Sequence, residues 1–137
     1  MEEYVKYIII AIIILVLDGI WIYSNLQMYS DAVKAIQKSE MRIKPYAAIV
    51  AYSFVLFASL FIAIPFTKQN VKKGDSIEQK LYKSFIYGGA AGFAVYGVYN
   101  FTSLSIYKDY TLNLALIDTT WGTVLNTTIV FIYLLLD

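Results

Sequence analysis

The sequence predicts an all-α polytopic membrane protein, an antiparallel four-helix transmembrane bundle with both termini on the same side. Three observations lead there. Charged residues make up only 15% of the chain against 59% hydrophobic, where a soluble domain carries about 25% charge. Mean hydropathy is +0.61. The charges are also uneven, clustering between long apolar runs, the pattern of a chain solvated by lipid. A chain of 137 residues leaves room for a single transmembrane domain, 1–137.

The first span, 4–27, contains one acid, Asp18. Glu2, Glu3 and Lys6 do not make a basic leader, and no small-residue cleavage site follows, so this run is read as a retained helix. The connection 28–44 is polar, but Tyr29, Val33 and Ile36 recur at helical spacing, which suggests a short interfacial helix within it. Pro45 suits a first helical position and opens the second span, 45–66, with Pro65 expected to stop or kink it. A lysine-rich connection leads to the third span, 84–107. The corner Lys108-Asp109-Tyr110 then leads to the fourth, 111–136, which contains Asp118. Each run is long enough to cross roughly 30 Å of hydrocarbon at about 1.5 Å per residue.

Four crossings put both termini on one side. That side carries six basic residues (Lys6, Lys68, Lys72, Lys73, Lys80, Lys83) and the other carries five (Lys34, Lys38, Arg42, Lys44, Lys108). The count tips the expectation toward cytoplasmic termini. A net charge of +1 gives no reason to expect nucleic acid as a partner. The chain has no Cys and no His, which removes thiol chemistry and the usual zinc, haem and iron–sulfur ligands. No metal site and no cofactor are expected. Membrane lipids are the expected surroundings, with a homodimer or higher oligomer open.

Two acids inside the apolar runs carry the functional reading. Both open the pattern Asp-x-x-Trp, as Asp18 to Trp21 and Asp118 to Trp121. Residues three apart share a helix face, so each indole is expected to flank the acid of its own helix. Packing or an interfacial belt is the plainer account of the two Trp. Asp18 lies nine residues before Gln27, about 13 Å, and Asp118 six residues after Leu112, about 9 Å. Both carboxyls are thus expected at similar depth below one surface. The same count brings Asn100, with Tyr96 and Ser103 on its stripe, and Ser53 to that layer. With no Lys or Arg in the layer, a proton, a bound cation or water must compensate two buried acids. The same acids also serve as internal glue if they are neutral and hydrogen-bonded.

Small residues mark the third span. Gly88 and Gly92 have the GxxxG spacing, and Gly97 and Gly122 are further packing candidates. Packing within the chain is favoured over dimerisation. Asn100-Phe101-Thr102 and Asn126-Thr127-Thr128 match a glycosylation sequon but lie within spans.

Leu17-Asp18-Gly19-Ile20-Trp21, the run Gly88 to Phe93, Tyr99-Asn100-Phe101-Thr102-Ser103-Leu104, and Asp118-Thr119-Thr120-Trp121-Gly122-Thr123-Val124-Leu125 together resemble one family over nearly the whole chain. It comprises the four-span membrane proteins catalogued as domain of unknown function 2177, of bacteria and some large DNA viruses. The resemblance implies the four-span topology and supplies no activity. Viral membership would imply a host or virion membrane. Asn100 stands where the family often has Asp, and Ser103 where it often has Asn. Three functional readings follow. The first is transport or channel-like movement of a proton, cation or small polar solute. The second is a structural or assembly membrane protein, such as a viral envelope component, with the cluster as glue. The third, ranked last, is an enzyme using the two acids on a lipidic substrate.

Overall fold

The computed structural model describes all 137 residues, and every regular element is helical. Helix α1 spans Glu3–Ser24 and α2 spans Leu26–Gln37, the two separated only by Asn25, whose backbone leaves the helical region. The Tyr29, Val33, Ile36 stripe thus does form a helix. It ends at Lys38, which takes the left-handed conformation at φ 59°.

Helix α3 spans Pro45–Asn70. Pro45 opens it at a position where its missing N–H leaves nothing unpaired. Of the stop or kink expected at Pro65, the stop does not occur. A widened π turn over Ser59–Ala63 comes just before it. Proline would clash with the carbonyl four residues back, and the wider turn absorbs that conflict, letting the helix run on to Asn70. Helix α4 covers 77–106. It begins with a capping box in which Ser76 and Gln79 satisfy each other's backbone N–H, seven residues before the expected start. It too contains a π turn, Ser84–Gly88, before the regular stretch Gly89–Ile106. Helix α5 spans Leu112–Leu136, capped by the Thr111 hydroxyl on the Leu114 N–H.

Side-chain pairs fix the arrangement. Lys6 at the start of α1 meets Asp137 beyond the end of α5, and Trp121 meets Asp18 halfway along, so α1 and α5 are antiparallel. On α4 and α5, Gly88 faces Val130, Gly92 faces Gly122, and Asn100 bonds Asp118, again antiparallel. Helix α3 runs with α5: Ser59 bonds Asn126 and Lys68 bonds Tyr133. Helix α5 is the hub. Of the 25 buried residues, eleven lie on it.

Three helices (Glu3–Ser24, Pro45–Asn70 and Leu112–Leu136) are long and apolar enough to cross a membrane. Only 25 of 137 residues are buried, and Ile8, Ile12, Phe54, Phe57, Phe61, Phe93 and Val98 lie exposed on helix after helix. Such a surface is stable facing hydrocarbon and not water.

The interior divides into two halves. Near the chain termini, Ile10 and Ile14 of α1, Ala63 and Ile64 of α3, and Leu125, Ile129, Val130 and Tyr133 of α5 form the apolar core. A clasp closes that end. The Tyr133 hydroxyl and the Lys68 ammonium donate to Glu3, and Lys6 pairs with Asp137 at 2.5 Å. The opposite half holds the polar groups. There the N-terminal part of α3, Pro45–Ala58, has no buried residue, whereas burial begins at Ser59. The half-helix stands off its neighbours and leaves a cavity.

Candidate functional site

Asp18 on α1 and Asp118 on α5 both line this cavity, and both are nearly buried, at 6% and 9% exposed. Each of their oxygens accepts one hydrogen bond from a neighbouring side chain. On Asp18, Oδ1 accepts from Trp121 Nε1 at 2.8 Å and Oδ2 from the Tyr52 hydroxyl at 2.7 Å. On Asp118, Oδ1 accepts from the Tyr29 hydroxyl and Oδ2 from Asn100 Nδ2.

Donor and acceptor roles follow from chemistry. Indole N–H can only donate, so Asp18 Oδ1 must accept. Trp21 Nε1 donates to the Tyr29 oxygen at 2.9 Å, which leaves the single Tyr29 proton for Asp118. Asn100 Nδ2 also donates to the Tyr96 carbonyl at 2.8 Å, and Asn100 Oδ1 accepts from Tyr110, so its amide orientation is fixed. Asp118 thus accepts at both oxygens. An Asp at position 100 could not make these donations. No Lys or Arg lies within ion-pairing distance of either acid.

The indole N–H groups find their partners beyond their own helix. Neither indole N–H bonds the acid of its own helix; Trp121 reaches across to Asp18, and Trp21 reaches Tyr29. The rings stack on each other, 4.6 Å apart and 2° from parallel. The reason is the crossing of α1 and α5, which brings the two Asp-x-x-Trp faces together and lets each ring span the gap.

Ser53 is not in the cluster. It is exposed, and its hydroxyl bonds the Ile49 carbonyl one turn back. Tyr52 takes its place, because one step along the helix turns the side chain by about 100° and a phenol reaches further than a serine. Tyr96 lines the cavity, and its ring packs where a Cβ on Gly122 would fall 2.2 Å from Cγ. Ser103 bonds the Tyr99 carbonyl and borders a second, smaller cavity of about 240 Å³ that also reaches Asp118. Gly88 and Gly92 press on α5, with added Cβ atoms at 2.8 Å from Val130 and 2.0 Å from the Gly122 carbonyl oxygen. The stripe therefore packs inside the chain. Gly97 is looser, with its nearest neighbour at 3.7 Å.

Sequence reasoning missed Tyr29, Tyr52 and Tyr110. Only Tyr29 carried a signal, as a phenol on the apolar stripe of an otherwise polar connection. Tyr29 and Tyr110, outside the spanning helices, have hydroxyl pKa values raised mainly by burial, with the nearby Asp118 charge adding to the effect; Tyr110 is pushed up to about 12. Both stay protonated donors at neutral pH. Asn126, set aside as a sequon, joins the interior: it accepts from Ser59 at 3.1 Å and donates to the Gly122 carbonyl.

The main cavity holds about 620 Å³, and 14 of its 16 lining residues are hydrophobic. Asp18 and Trp21 come from α1, Leu26, Tyr29 and Val33 from α2, Tyr52 and Val55 from α3, and Tyr96 and Tyr99 from α4. Met41 and Ile43 of the following connection also line it. No three metal-ligating side chains converge anywhere in the chain.

No curated protein and no solved structure matches the chain. One family model does, described as "Predicted membrane protein (DUF2177)", and it covers residues 4–134. The chain is therefore a member of the domain of unknown function 2177 family of membrane proteins.

Proposed function

We propose that the chain is a four-span membrane protein that receives a cation or protonated solute at Asp18 and Asp118 as a step in transport-like movement. The fourth crossing in this reading is α4. It is uncharged from Ser84 to Tyr107, packs antiparallel along α5, and turns Phe85, Phe93, Val98 and Ile106 outward. Its glycines and serines lower its hydropathy but serve close packing. Both termini then share one membrane side, and α2 lies at the other.

The observation that carries the proposal is the charge balance of the cavity. Two carboxylates face one chamber, their neighbours are neutral donors, and no side-chain cation compensates them. Each carboxylate oxygen keeps a free lone pair beyond the one already used. Ionisable groups in such a position mark ion or substrate pathways. The smaller cavity, bordered by Gln37, Ser103 and Tyr107, supplies a more polar approach to Asp118. The apolar core around Ile10, Ile14 and Ile129 fills the half of the bundle nearer the termini.

The test is cation and proton flux into liposomes carrying the wild type, Asp18→Asn and Asp118→Asn. Loss of flux in either variant is the expected result. Equal flux in all three removes the acids from the mechanism. The structural reading has one observation in its favour: the same hydrogen bonds tie all five helices together. Variants that lose thermal stability while no form supports flux would favour it.

A further inference from the structure

We infer that the occupant of the main cavity is a lipophilic cation, an ammonium-type headgroup on an extended apolar body, admitted sideways from the bilayer. This rests on the cation reading above and adds the chemistry of the rest of the molecule. A bare metal ion fits poorly. Hard cations gather six to eight oxygens, and here the four carboxylate oxygens are each already engaged by a donor.

The size of the space points the same way. About 620 Å³ is the range of chambers that enclose drug-sized ligands, many times the roughly 30 Å³ share of one water. A small hydrated ion would leave the apolar walls wet. With 14 of 16 lining residues hydrophobic, that space is favourable only when an apolar body fills it. The aromatic rings of Trp21, Tyr96 and Tyr99 beside the acids suit an organic cation, which is attracted to ring faces.

The access route is the third argument. Phe54 of α3 and Tyr99 of α4 line the cavity and are 70% and 66% exposed, so the rim between them is apolar and open on the bundle's outer surface. The unburied half of α3, Pro45–Ala58, forms one side of that opening. A molecule dissolved in the hydrocarbon meets apolar rim, apolar wall and then the two acids, in the order of its own tail and head.

Trp21 and Trp121 are the only two tryptophans; Trp21 lines the cavity and stacks on Trp121, so intrinsic fluorescence reports occupancy. The full chain in nanodiscs of zwitterionic lipid would be titrated with a bromododecyl-trimethylammonium quencher and with bromododecanol as its neutral counterpart. Saturable quenching by the ammonium, at least tenfold tighter than by the alcohol and weakened at least tenfold by Asp18→Asn with Asp118→Asn, is the expected result. Ala51→Phe, on the exposed half-helix and outside the hydrogen-bond network, is expected to block the ammonium probe while preserving the fold. Unchanged binding in Ala51→Phe would overturn the cavity as the site. If tetramethylammonium displaced the long-chain probe at equal concentration, the apolar body would be irrelevant; the inference would fall and the cation reading would stand. Equal affinity for alcohol and ammonium would overturn both.

Discussion

Trp121 donates its indole N–H to Asp18 at 2.8 Å, across the interface between the last helix and the first. The Trp of one copy of the short motif thereby bonds the Asp of the other. The ring of Trp21 stacks on that of Trp121 and passes its own N–H to Tyr29, which donates to Asp118. Both acids, both indoles and α2 form one connected unit. Disturbing one member should be felt at the others.

Trp121→Phe keeps a ring in the stack but removes the only donor to Asp18 Oδ1. Leaving a buried carboxylate oxygen unpaired costs about 1–3 kcal/mol. Unfolding in mixed micelles should show that loss. Adding Asp18→Asn to Trp121→Phe should produce much less than the sum of the two single effects. Strict additivity would mean that the hydrogen bond contributes nothing.

Tyr29→Phe affects two partners, since Tyr29 both accepts from Trp21 and donates to Asp118. We expect a loss of roughly 1–3 kcal/mol, concentrated at α2. Hydrogen exchange should accelerate across Leu26–Gln37 while the Ile10, Ile14, Ile129 core stays protected. Uniform acceleration over the whole chain would argue against a local role for this phenol.

The glycines of the α4–α5 interface are predicted to differ sharply. Gly92→Ala places a methyl group 2.0 Å from the Gly122 carbonyl oxygen, where only backbone movement can relieve the clash. Overpacking of this kind costs typically about 1–3 kcal/mol. Gly97→Ala meets nothing nearer than 3.7 Å and should be neutral or gain up to about 1 kcal/mol from helix propensity. Thermal unfolding of the two variants side by side tests this. Equal effects would contradict the packing described.

At the far end, Asp75 accepts from the Lys83 ammonium at 2.6 Å and from the Lys72 backbone N–H at 2.8 Å. The Lys83 contact first, and the backbone bond second, hold its carboxyl below the ordinary value of 3.8. A depressed acid stabilises the fold fully above its unfolded pKa and loses that contribution as pH falls through the folded value. The melting-temperature difference between wild type and Asp75→Asn should therefore be present at pH 6 and shrink below about pH 4. A difference that persists unchanged to pH 2.5 would show that charge is not its source.

Much of the interior was legible as depth along each helix, because rise per residue is fixed. Counting from the helix ends brought Asp18, Asp118, Asn100, Tyr96 and Ser103 toward one half of the bundle, and each of them borders a cavity or bonds an acid there. Rotation about each helix axis was not legible. On α3 the count reached the right level and chose Ser53, while the structure turns Tyr52 inward. A soluble helix would reveal its inner face through its apolar stripe. Here α3 is apolar all round, because lipid and protein interior are equally welcoming to Phe and Leu.

The sequence by itself determined the membrane class, the positions of the helical runs and the burial of two acids without a basic partner. These are one-dimensional properties, set by hydropathy, length and rise per residue. Only the tertiary structure decided that α5 is the hub, that Trp121 bonds the acid of α1 while Trp21 bonds Tyr29, that phenols from α2 and α3 complete the hydrogen bonds, and that the standing-off half of α3 leaves a chamber beside them. Those features depend on which faces meet. In a bundle whose outside is as apolar as its core, close packing of small residues and the pairing of polar groups choose the faces, and neither can be read from one helix alone.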